Sequence, residues 1–234
     1  MKIKKYNHDS DYSYVIGTSP TVELLKAKPN IVRGVLIHSK FHDKQLIENF
    51  KVPVVYDDKT FERLGVNDNS YVIGVFDKFV TELDYNKPHI MLVNPSDMGN
   101  LGNICRTVLG FGYTNLAVIK PAADIFNPKT VRASMGAIFK LNFEIFDAFE
   151  HYTERFRNHN LFPFMLGGNL TINECPSVKL HTLIFGNESS GLDDSYSNIG
   201  TSVRIPQSEH VDSHNLCVAV GIGAYTFALK NNLL

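Results

Sequence analysis

The chain has 234 residues, 44% of them hydrophobic and 20% charged, with a formal net charge of −1, a composition that suits one large or two modest globular domains. A balance this close to neutral excludes nucleic-acid binding through a global positive field, so any such contact must be local. No apolar run approaches the roughly 20 residues that span a bilayer, and the start MKIKKYNHDSDY lacks the apolar core of a signal peptide, which predicts a cytoplasmic protein with no membrane partner.

Along the chain, residues 14–79 read as a small α/β unit. GVLIH at 34–38, PVVY at 53–56 and YVIGVF at 71–76 are predicted strands. Between them SPTVELLKAK, opened by Ser19 with Pro20 behind it, and DKQLIENF carry helical spacing. A polar stretch over residues 77–89 reads as a linker. Lys and Arg number 12 against 10 Asp and Glu through Lys78, and 11 against 14 beyond it, so the N-terminal part is slightly the more basic.

From Ile90 onward, strands alternate with helices, which predicts a mainly parallel sheet covered on both faces. Ile90–Val93 is a short apolar strand, followed by NPSDMGNLGNICRTVLGFG at 94–112. There Asn100, Gly102 and Arg106 are expected on a tight turn, with Arg106 in the first helical turn near free N–H groups that favour anions. Ile104, Val108, Leu109 and Phe111 should bury one face of that helix. The bland alternative is a strand-to-helix turn with a solvent-facing arginine. LAVIK at 116–120 and TLIFG at 182–186 are further strands, and Phe149, Tyr152 and Phe156 form a helical core stripe. The last segment, NLCVAVGIGAYTFALK, is apolar nearly all round and is expected as a buried helix or a subunit contact.

Three further segments bear candidate chemistry. In VRASMGAIFKL, Arg132 and Ser134 precede Gly136 at an apparent helix start. In IFGNESSGL, Gly186 and Gly191 permit close backbone approach, and Glu188 stands beyond a strand's carboxyl end, where open α/β sheets bind ligands. In VRIPQSEHVDSHNLCVAV, Ser213 and Asn215 have the residue types of helix caps. Asp212, Ser213 and His214 have triad residue types, but neighbours in sequence point apart, so no triad is inferred. The three cysteines, Cys105, Cys175 and Cys217, are unpaired in spacing and read as reduced, small apolar residues; no histidine pair has metal-ligand spacing, so no metal is expected.

Taken in order, Asn100-x-Gly102-x-x-x-Arg106, then RASMGA, then Ile184-x-Gly-Asn-Glu-x-x-Gly-Leu192, then Ile-Pro followed by Ser213-x-Asn215 resemble the SpoU/TrmH family of RNA ribose 2'-O-methyltransferases in the SPOUT superfamily. The resemblance spans residues 90–234. It implies an α/β methyltransferase domain with a parallel sheet tied in a C-terminal trefoil knot, a rare exception to unknotted chains. Residues 15–79 resemble the small α/β ribosomal-protein-like RNA-binding domain of many members, which implies an RNA-binding domain at 1–80 with 81–89 as the linker.

By the same resemblance, Asn100, Arg106, Glu188, Ser213 and Asn215 would form the catalytic set. Gly186, Asn187, Ile205, His214 and Leu216 would hold S-adenosylmethionine, largely through backbone groups. Position 214 is usually leucine in the family, so His214 would make that wall more polar. The implied partners are RNA, ribosomal sooner than transfer RNA, and a second copy in a homodimer. A guanidinium is a poor base, so Arg106 is expected to steady a developing alkoxide or grip a phosphate, and the proton to leave to solvent or to Glu188. A catalytically silent RNA-binding or ribosome-assembly protein is the competing class. A nucleotide-dependent dehydrogenase is disfavoured, since MGNLGN lacks the G-x-G-x-x-G spacing.

Overall fold

The computed structural model describes residues 3–66 and 70–234; Met1, Lys2 and residues 67–69, inside the expected N-terminal domain, lie outside the described residues. The first part runs β1 (Tyr12–Ile16), α1 (Thr18–Ala27), β2 (Val32–Ile37), α2 (Gln45–Glu48), β3 (Val54–Tyr56), α3 (Asp58–Leu64) and β4 (Val72–Asp77). Its sheet has the order β1-β4-β2-β3, with only the β2–β3 pair parallel. All three predicted strands are present, while β1 and α3 were not anticipated. Gly17, not Ser19, is the residue before α1, because its φ of +118° turns the chain out of β1.

The second part runs β5 (His89–Val93), α4 (Met98–Gly110), β6 (Asn115–Ile119), α5 (Pro128–Ala133), β7 (Asn142–Phe146), α6 (Phe149–Arg155), β8 (Asn160–Pro163), β9 (Leu170–Thr171), β10 (His181–Phe185), β11 (Val203–Arg204) and α7 (Leu216–Lys230). Five strands form a parallel sheet in the order β7-β6-β5-β10-β8. Successive side chains of a strand point to opposite faces. Ile90, Leu92, Leu116, Val118, Leu183 and Phe185 therefore enter one core, and Met91, Val93, Ala117, Ile119 and Ile184 the other. Both faces are covered, as the apolar runs predict.

Residues 79–84 are stitched to the sheet edge rather than free. Phe79 packs edge-on against Phe126 and Phe143, Leu83 is buried, and Thr81 Oγ1 donates to the Phe143 carbonyl and accepts its N–H. Phe79 and Leu83 are two apolar anchors in a polar stretch, which a reading by overall polarity overlooks. The two parts meet in one apolar cluster, where Val15, Leu24 and Phe76 of the first pack with Ile138 and Phe139 of the second. Among the described residues no helix is long and apolar enough to cross a membrane.

The order of the parallel sheet has one consequence for function. From β5 the chain winds outward through β6 to β7, then crosses to the other side for β8 and β10. The winding reverses between β5 and β10, so the loops leaving their carboxyl ends diverge and open a crevice.

Candidate active site

The β5 loop starts with Asn94 in the left-handed region at φ +53°, and its carbonyl accepts from Asn187 Nδ2 at 2.7 Å. Asp97 caps α4, its carboxylate accepting from the Asn100 N–H at 2.7 Å. The cap sits earlier than the sequence reading assumes, so Asn100 and Gly102 are already helical. Arg106 is the ninth residue of α4, roughly 12 Å along the axis from its start. Arg106 is therefore in the third turn, away from the helix N-terminus expected for it. Gly102 has a packing reason: a Cβ there would overlap the Thr130 carbonyl and Ala133 of α5.

Gly186 ends β10 under the returning chain, where a Cβ would overlap the Gly191 carbonyl and the Leu192 nitrogen. Asn187 and Gly191 exchange backbone hydrogen bonds at 3.1 and 3.0 Å, closing a small ring that presents Glu188. The Asn187 side chain serves both loops: its Oδ1 accepts from Ser189 and Ser190 N–H, while its Nδ2 reaches the Asn94 carbonyl.

Glu188 joins the two loops. Its Oε2 accepts the Ser96 N–H at 3.0 Å and the Ser96 hydroxyl at 2.8 Å, while Oε1 accepts the Asp97 N–H at 3.1 Å and Asn100 Nδ2 at 3.3 Å. Burial pushes this carboxyl up, but the Ser96 and Asp97 donors outweigh burial and hold it at about 2. Glu188 is thus a fixed anion with both oxygens engaged. That geometry argues against the proton-accepting role entertained for it from the sequence.

Beside Glu188 opens a cavity of about 460 Å³, lined by Gly186, Asn187, Glu188, Ile205, Ser213, His214 and Leu216 among others. Phe164, Leu166 and Leu192 add apolar walls, and Asp194 a carboxylate. The structure thus gathers all five expected cofactor residues, plus Glu188 and Ser213, around one space. Asn215 caps α7, accepting the Cys217 N–H at 2.8 Å. On the other side of the first turn of α7 lies a groove of about 470 Å³ lined by Asn103, Arg106, Thr107, Gly110, Phe111 and Cys217. Arg106 is exposed there and is not part of the cavity wall.

Two further expectations are corrected. Arg132 and Ser134 stand at the end of α5, not the start of a helix, because Asn127 and Pro128 open that helix six residues earlier than Ser134 closes it. Cys217 is no mere apolar filler, since its Sγ lies 3.5 Å from the Asn100 carbonyl and 3.4 Å from Asn100 Oδ1. Cys217 and Ser96 were missed, and nothing local in sequence marks either. Among the described residues no group of three or more His, Cys, Asp or Glu is arranged to hold a metal ion.

Comparison with known proteins agrees with this architecture. The model of the SpoU rRNA Methylase family matches residues 87–225. An uncharacterized tRNA/rRNA methyltransferase of Synechocystis sp. is 29% identical over 58% of this chain, and the match spans only 51% of that protein, about half its length. A 23S rRNA (guanosine(2553)-2'-O)-methyltransferase of Bacillus subtilis is 22% identical over 96% of this chain and 92% of its own. The crystal structure of a SpoU methyltransferase from Streptomyces viridochromogenes, in complex with AdoMet, has the same fold, with a TM-score of 0.83, 20% identity, and coverage of 96% of this chain and 94% of that one. With the family model matched over more than half of its residues, the chain belongs to the SpoU rRNA Methylase family.

Proposed function

We propose that this protein transfers a methyl group from S-adenosylmethionine to a ribose 2'-hydroxyl of ribosomal RNA. The observation that carries the proposal is the Glu188 clamp, which ties the start of α4 to a glycine-cradled cavity at the switch point of the sheet. The Bacillus relative that aligns along nearly the whole chain is a 23S rRNA enzyme. That alignment supports ribosomal RNA over transfer RNA; in the same proposal residues 1–80 are an RNA-binding part joined through 81–89 to a methyltransferase part at 90–234.

The cavity suits the cofactor on its own chemistry. Its volume is in the range that takes small ligands, Gly186 lets the backbone of Gly191 and Leu192 pass closely enough to form one wall, and Asp194 offers a counter-charge to a cationic ligand. Gly186, Asn187, Ile205, His214 and Leu216 would hold it. When bound, the cofactor supplies an electrophilic methyl carried on a sulfonium.

The protein's own residues then position and exclude. Ile205 and Leu216 keep water from the cavity wall, while Asn100, fixed by Glu188, orients the ribose. Arg106 offers a permanently charged fork that steadies the developing alkoxide or grips the adjoining phosphate. Glu188, already ionised and fully engaged, holds the turn, and the proton leaves to solvent. Holding the reacting oxygen in line is the main source of rate.

The same proposal includes a knot and a dimer. Residues 200–204 return alongside the chain leaving β8, with Thr201 N–H donating to the Leu161 carbonyl, Met165 N–H to Val203 and Ile172 N–H to Arg204, which supports a threaded C-terminal part. Val218, Tyr225 and Leu229 form an exposed apolar stripe on α7 beside the Arg106 groove. A second copy covering that stripe would bring its Arg106 toward the neighbouring cavity. The test is transfer of label from S-adenosylmethionine to ribosomal and transfer RNA fractions, with Arg106→Ala in parallel. Label in the ribosomal fraction that vanishes in the variant supports the proposal; a cofactor-binding protein that labels neither RNA nor assembling ribosomal particles overturns it in favour of a silent RNA-binding protein.

A further inference from the structure

Asn100 has to present its side-chain amide in one orientation to be useful, and two neighbours decide which. Glu188 is an ionised acceptor, so the Nδ2 end of Asn100 must face it. The Oδ1 end then faces α7, where the Cys217 Sγ stands 3.4 Å away, and 3.5 Å from the Asn100 carbonyl. Burial, with Glu188 and Asp97 nearby, pushes the thiol up to about 11, so it keeps its proton and serves as a donor. A thiol is a weak donor, yet this one has two acceptors on a single residue. The backbone of Cys217 is itself fixed by Asn215, whose Oδ1 accepts its N–H at 2.8 Å. The chain of contacts therefore runs Asn215, Cys217, Asn100, Glu188. The second Nδ2 hydrogen of Asn100 has no protein partner among the described residues.

We propose that Cys217 is a positioning residue: its S–H anchors Oδ1 of Asn100, and so leaves the free Nδ2 hydrogen of Asn100 directed at the substrate ribose. This rests on the methyltransferase function proposed above for its last step only. Leu216 and Ala219 face the cavity and Cys217 the groove, so the anchor lies in the wall between the two ligand spaces.

The experiment compares Cys217→Ser, which keeps a donor, with Cys217→Ala, which has none. Two readouts are used: the nitrogen-15 side-chain amide signals of Asn100, assigned by their loss in Asn100→Asp, and the separate values of kcat, KM for RNA and Kd for S-adenosylmethionine. The expected result is amide signals retained in the Ser variant and shifted in the Ala variant. With them, kcat should fall about tenfold in Ala only, while KM and the cofactor Kd stay within about twofold. Amide signals in Cys217→Ala that superpose on the wild type would overturn the inference, as would a Ser variant that behaves like Ala in both readouts. The amide signals decide the anchoring by themselves. Wild-type protein that methylates no RNA, with the amide signals behaving as expected, would sink the proposed reaction and leave the anchor standing.

Discussion

Glu188 Oε1 accepts from Asn100 Nδ2 at 3.3 Å across the crevice between β10 and β5, joining residues 88 positions apart in sequence. Each is placed by its own strand end, and the winding reversal of the sheet brings the two ends together. Three further donors on Glu188, the Ser96 N–H and hydroxyl and the Asp97 N–H, belong to the same turn, and Asn187 Nδ2 adds a longer contact from its own loop.

That geometry predicts the effect of Glu188→Gln. A glutamine must turn its NH₂ toward donors already in place, leaving N–H groups of the turn without their acceptor. Because Ser96 and Asp97 are exposed, water partly replaces the lost bonds and the cost is about 1 kcal/mol. The expected outcome is a lower Tm and a large loss of kcat. In the wild type the folded carboxyl sits at about 2 against an ordinary 4.5, so the stability it contributes is present above pH 4.5 and is lost only as pH falls toward 2. The pH–rate profile should therefore have no acidic limb near 4.5; a limb there would show that Glu188 titrates in the working enzyme.

Gly186→Ala should disrupt the cavity. The added Cβ overlaps the Gly191 carbonyl and the Leu192 nitrogen, both backbone, so the loop must shift, at a cost of about 2–3 kcal/mol. Calorimetric titration with S-adenosylmethionine should give at least a tenfold weaker Kd. Equal affinity in the variant would mean the cavity is not the cofactor site.

Arg106 is exposed on α4, and its substitution should separate activity from stability. Arg106→Ala should leave unfolding free energy within about 0.5 kcal/mol of wild type while abolishing methyl transfer. Arg106→Lys keeps the charge and loses the planar fork, so its turnover should also drop well below wild type. Unchanged turnover in the lysine variant would refute the need for bidentate contact.

A pH effect on stability should come from the opposite end of the sheet. His89 and His181 are fully buried at the amino ends of β5 and β10, bonded to Tyr152 and Tyr113, and burial lowers both from 6.5 to about 4. The unfolded chain therefore takes up protons below pH 6.5 before the native state does. Stability is fully present above 6.5 and falls as pH drops toward 4, by up to about 3 kcal/mol per histidine. Denaturant unfolding at pH 7 and pH 5 measures it, and a variant with both histidines replaced by glutamine should flatten the slope.

What the sequence determined by itself is whatever depends on near neighbours. Apolar runs such as Ile90–Val93 and 182–185 are strands because β-rich residues of that length bury on both faces. The ordered motifs around Asn100, Gly186, Glu188 and Ser213 located the candidate site for the same reason: each is a short loop leaving a strand. Near-neighbour reading also misled, at the start of α4 and the end of α5, because caps such as Asp97 and Asn127 set a helix boundary by a single hydrogen bond. Only the tertiary structure decided that Glu188 binds Ser96, Asp97 and Asn100 at the start of α4, that Arg106 lines a groove apart from the cavity, and that Cys217 touches Asn100. Those facts depend on β10 lying beside β5 and α7 beside α4, and strand order and helix packing join residues about 90 to 120 positions apart. Spacing along a chain carries no record of such distances until the sheet has formed.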